Sequence, residues 1–154
     1  SLAGVTWVGL LYYFNFVQVP AMADALADEG GPGPAAIGKY IAPKALLWFR
    51  MSAAVTWLTG AWALSLGYGF TNAFLLKPGA EMIGLGSWLG TIMLFNVWVL
   101  IWPNQKKILG MVEASAEEIA KAKFTAAMAS RTNVVLSVPM LLCMIGAGHG
   151  GYLF

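Results

Sequence analysis

The chain has 154 residues, 59% of them hydrophobic and only 10% charged, with a mean hydropathy of +0.71 and a formal net charge of +2. A soluble domain of this size needs far more charge to cover its surface, so a water-soluble enzyme is excluded. The small positive balance follows from basic loops and does not point to nucleic acid.

Four apolar runs are long enough to cross a bilayer, whose hydrocarbon core takes about 20 residues per helix. No run alternates with period 2, which argues against a β-barrel. The expected fold is therefore an all-α integral membrane protein of four transmembrane helices in one domain over 1–154. The helices are expected at about 2–20, 44–66, 84–102 and 115–148, the last entering the membrane from about residue 131.

The first helix begins almost at once. No charged segment precedes Leu2, so this run does not read as a signal peptide. Pro20 is its expected end. A Gly/Pro cluster at 30–34 reads as a loop, and Pro43 can open the second helix. "GYGFTNAFLLKPGA" reads as the second loop. Pro103 is expected to stop or kink the third helix. "NQKKILGMVEA" reads as a short amphipathic link. Ser115 with Glu118 fits a capping box for the last helix, in which Pro139 is a kink risk.

Eight of the nine Lys/Arg fall on one side of this arrangement: Lys39, Lys44, Arg50, Lys106, Lys107, Lys121, Lys123 and Arg131. Lys77 alone falls on the other. The positive-inside rule makes the crowded side cytoplasmic and both termini external, that is, periplasmic in a bacterial inner membrane. Trp48, Trp102 and Trp88 fall near the interfaces, where tryptophan belts form. Gly86/Gly90 and Thr56/Gly60 are small-xxx-small pairs of the kind that let helices approach closely.

The polar residues inside the apolar runs gather in the cytoplasmic third. Asn15 and Gln18 share a face of the first helix, and Arg50 lies about two turns into the second. Asn96 lies about 9 Å inside the interface marked by Trp102, and Arg131 with Asn133 opens the membrane part of the fourth. Such groups are costly in a bilayer and mark either a ligand or lipid site or interhelical glue. The arginines can snorkel to lipid phosphates or share an anion. The asparagines can bond helix to helix. Cys143 reads as a small buried hydrophobe. The usual soluble catalytic signatures are missing. His149 is the single histidine, so these residues supply one histidine axial ligand for a haem and not two.

Three stretches, "AGVTWVGLLYYFNFVQ", "LLWFRMSAAVTWLTG" and "LGTIMLFNVWVLIWPNQKK…SRTNVVLSVPMLLCM", together resemble the N-terminal membrane domain of bacterial cytochrome c-linked urate hydroxylases, a group that includes short stand-alone forms. The third stretch, with Asn96, "PNQKK", Arg131 and Asn133, carries most of the likeness. The resemblance implies a helical membrane domain whose long relatives pass electrons to an external cytochrome c. It also implies histidines in the family at positions that here read Ala45–Trp48 and Ser130–Asn133, and one at or just before Ser1.

Three functions follow. The favoured one is a non-catalytic accessory subunit packed against other membrane-protein subunits of a larger energy-converting complex, in contact with membrane lipids. The alternative is a redox protein of the urate hydroxylase family binding haem, through His149 and a histidine before Ser1, or quinone. The third is an anion- or lipid-binding protein using Arg50 and Arg131.

Overall fold

The computed structural model describes residues 1–108 and 112–148. Its regular structure among those residues is helical. The helices are α1 (Leu2–Ala27), α2 (Ala42–Leu66), the short α3 (Phe70–Phe74), α4 (Glu81–Ile108) and α5 (Ala116–Gly148).

Three of these are long and apolar enough to cross a membrane: α1, α4 and the Ala116–Ala147 stretch of α5. The sequence leads to the expectation of a fourth, and α2 has the length, 25 residues. Its apolar character is diluted by Arg50, by three threonine and serine hydroxyls in its middle, and by tryptophans whose ring nitrogens are polar. Large apolar side chains point away from the protein along all four long helices, among them Phe16, Trp48, Trp62, Val135 and Ile145. Outward apolar faces of this extent suit a lipid surrounding rather than water.

Helices α1 and α4 run further than Pro20 and Pro103 lead one to expect. In both, a π-helical turn precedes the proline: Phe14–Gln18 in α1 and Asn96–Ile101 in α4. A third, Ile37–Ile41, leads into α2 ahead of Pro43. In each case the residue just before the proline closes the wide turn. The N–H of Val19 reaches the carbonyl of Phe14, that of Ala42 reaches Ile37, and that of Trp102 reaches Val97. A proline in an α-helix lacks its own N–H and pushes against the carbonyl four residues earlier. A turn that already bonds five residues back displaces that carbonyl, and the helix continues instead of ending.

The start of α5 follows the expected capping pattern. Ser115 Oγ accepts a hydrogen bond from the Glu118 N–H at 3.2 Å, and the helix begins at Ala116. Pro139 sits inside this helix without ending it.

The core runs through the middle of the bundle, around Trp7, Leu11, Phe49, Met93, Val97 and Met140. α1 packs along α2 and α4 along α5, and contacts of α1 with α5 and of α2 with α4 close the ring. Glycine permits the closest approaches. A Cβ on Gly84 would collide with the Ala73 carbonyl oxygen of α3, and one on Gly86 would lie 3.1 Å from Cys143 Cβ. Cys143 is buried there. α3 is pinned over this end by the Trp88 indole N–H, which donates to the Phe74 carbonyl at 2.8 Å, and by edge contact of those two rings.

Candidate functional site

The polar residues of the bundle's other end meet across helices in pairs. Asn96 Nδ2 donates to Asn133 Oδ1 at 2.8 Å, and Asn133 Nδ2 donates to the Met93 carbonyl at 3.1 Å. Asn133 is fully buried and Asn96 nearly so. This ties α4 to α5. Asn15 Nδ2 bonds both the Leu11 carbonyl, at 2.9 Å, and Ser130 Oγ, at 2.7 Å. One turn towards the other end, the Tyr12 hydroxyl and Ser137 Oγ share a bond of 2.8 Å. These two contacts tie α1 to α5.

Two of these three asparagines lie in π-helical turns, Asn15 within Phe14–Gln18 and Asn96 at the head of Asn96–Ile101. The wide turn rotates the side chains that follow it relative to those before. It can therefore present a polar group inwards from a stretch that otherwise faces lipid. π-turns are frequent at functional positions for this reason.

Gln18 is buried at the same end, and its Oε1 has no hydrogen-bond partner among the described residues. Arg50 projects from α2 onto α4. Its guanidinium carbon lies 3.4 Å from the centre of the Trp102 ring and 5.9 Å from that of Trp98. Lys106 Nζ lies 5.6 Å from the Trp102 ring centre as well. The arginine is thus stabilised by the negative faces of two indoles. Arg131 is exposed, and no hydrogen bond or ring contact joins it to Arg50 among the described residues. Of the six polar residues singled out in the sequence, the fold joins Asn96 with Asn133 directly and brings Asn15 to α5. Gln18, Arg50 and Arg131 stand in separate surroundings. His149 lies outside the described residues.

A second feature was not legible in the sequence. A cavity of about 940 Å³ opens between the four long helices at the α3 end. Trp7, Tyr12, Thr56, Gly60, Gly90 and Met140 are among its lining residues. The two small-xxx-small pairs each divide at this cavity. Thr56 meets α1, where a Cβ on Gly4 would touch its Cγ2 at 3.6 Å, and Gly86 meets α5. A Cβ at Gly60 or Gly90 would meet nothing within 4 Å. The second residue of each pair therefore leaves space where helix contact was expected. The signal for this was the pair itself, but its spacing does not distinguish a contact from a void.

A family model described as urate oxidase N-terminal matches residues 67–154, a span that holds α3, α4, α5 and the Asn96–Asn133 pair. No curated protein and no solved structure matches the chain.

Proposed function

The chain belongs to the urate oxidase N-terminal family, and from that premise we propose that it is a multi-pass subunit of a bacterial inner-membrane, energy-converting complex, with a structural rather than a catalytic role. α2 is read as the fourth span, since it packs along α1 and carries exposed Trp48 and Trp62 towards its two ends, where interfacial tryptophans belong. The basic residues then mark the cytoplasmic side, and α3 lies on the external side. The observation that carries this reading is the direction of the polar hydrogen bonds. Asn15, Asn96 and Asn133 spend their donors on other helices of the same chain. Side chains used in this way hold a scaffold in register. The outward faces remain apolar and suit lipid and neighbouring subunits.

Extraction in a mild detergent followed by affinity purification tests the proposal. Stoichiometric recovery of the same membrane subunits is expected, together with a spectrum in which no band depends on His149.

The family itself favours a second reading, a redox role in urate oxidation. The chemistry a haem would supply is electron transfer, and His149 would be one axial ligand. A Soret band lost in His149→Ala, in a chain that purifies alone, would establish this reading and overturn the first.

A further inference from the structure

Two cations converge on one tryptophan ring where α2 meets α4. Arg50 reaches over from α2, its guanidinium carbon 3.4 Å from the Trp102 ring centre, and Lys106 Nζ lies 5.6 Å from the same point. The two charges are therefore no more than about 9 Å apart, a separation at which like charges still repel. Arg50, Trp102 and Lys106 are all half-buried. Neither cation forms an ion pair or donates a hydrogen bond among the described residues, and those residues include every Asp and Glu of the chain.

The indole stabilises both charges without neutralising them. A guanidinium placed over a ring uses its flat face, while its five N–H donors radiate from its edge. These donors, and those of Lys106, remain open to an acceptor from outside the chain.

The level of the pair in the membrane narrows the class of acceptor. The 28 residues of α4 rise about 42 Å, against about 30 Å for the hydrocarbon core. Its last turns, which carry Trp102 and Lys106, therefore lie among lipid headgroups. Towards the bilayer middle, Phe95 and Val99 of the same helix are exposed and apolar. The fitting ligand has a negative charge at headgroup level and an apolar part beneath it. The phosphate diester of an anionic phospholipid meets both conditions. A zwitterionic lipid would bring its own ammonium to two cations that already repel, and a free phosphate has no apolar part.

We propose that Arg50 and Lys106, seated on Trp102, bind the phosphate of an anionic phospholipid whose acyl chains lie along Phe95 and Val99. The second cation of the site is Lys106 and not Arg131. The site holds for either orientation of the chain, goes beyond the subunit reading and stands or falls separately from it.

Native mass spectrometry of the full chain, released from detergent with phosphatidylglycerol or phosphatidylethanolamine at matched concentrations, tests this. Phosphatidylglycerol is expected to stay bound where phosphatidylethanolamine does not. Each basic residue at a membrane surface contributes about fivefold in affinity, so Arg50→Gln and Lys106→Gln are each expected to weaken phosphatidylglycerol binding by about that factor. Lys106→Gln decides the matter alone if Arg50→Gln does not fold by circular dichroism. Lys107→Gln, next in the chain, removes the same charge without touching the pair and is expected to leave binding unchanged. Equal binding of the two lipids, or an equal loss in Lys107→Gln, would overturn the proposal. So would displacement of the lipid by millimolar inorganic phosphate, which would make the ligand a free anion.

Discussion

Asn96 and Asn133 stand 37 positions apart in the chain and share a 2.8 Å hydrogen bond in its buried interior. Asn133 has a second bond, to the Met93 carbonyl, so its amide is used as both acceptor and donor. Asn133→Ala is expected to lower stability by about 1–3 kcal/mol, because it leaves Asn96 and Met93 with unpaired groups. The double variant Asn96→Leu/Asn133→Leu should cost less than the two single leucine variants added together, since neither half is left behind. Unfolding in mixed micelles, followed by helical circular dichroism, measures both. Additive losses would show that the bond contributes nothing of its own.

Arg50 is expected to behave as a stacked residue and not as a free cation. Its guanidinium lies 3.4 Å from the Trp102 ring centre, and lysine cannot reproduce a planar stack. Arg50→Lys should therefore cost about 0.5–1 kcal/mol at this partly exposed position. Trp102→Leu should remove most of the difference between arginine and lysine. An Arg50→Lys protein as stable as the parent would show that position 50 needs only charge.

Gln18 offers the opposite sign. Its Oε1 is buried without a partner. Replacing it by methionine removes a polar group that the fold does not satisfy, while keeping length and flexibility. Gln18→Met is expected to leave stability unchanged or raise it by about 1 kcal/mol. A clear loss in the same unfolding assay would reveal a water or ligand on Gln18.

The orientation has its own test. A reporter that works only in the cytoplasm should be active when inserted between Glu113 and Ser115. It should be silent at Lys77, beside α3. The reverse pattern would place the asparagine layer on the external side and the Trp7 cavity on the cytoplasmic side.

Much of this architecture could be read from residue types alone. Apolar runs mark the long helices, and Ser115 with Glu118 marks a start that the structure places at the same residue. The gathering of Asn15, Gln18, Asn96 and Asn133 at one end was legible, because depth along a helix follows from counting. Their pairing was not. How Asn96 stands to the side chains beyond it depends on the π-turn it opens, and a strict 3.6-residue period misplaces every side chain beyond such a turn. Pro20 is an expected end, and Pro103 an expected stop or kink, for the same reason. A proline removes a hydrogen bond from an α-helix, but the sequence does not show that the preceding turn has already given that bond up. The cavity was hidden more deeply, since Gly60 and Gly90 look like contact residues until their neighbours are known.

The three wide turns bear on how this chain can change length. A π-turn holds one residue more than the α-turn it replaces, so each behaves as a single-residue insertion stored inside a helix. Deleting one residue between Asn96 and Ile101 would restore an ordinary helix, and with about 100° per residue it would swing one side of α4 against the other. Trp102 would leave Arg50, or Asn96 would leave Asn133, and the ring of Pro103 would press on a carbonyl again. Relatives that lack one residue here are expected either to lack the proline two places after the turn or to kink at it.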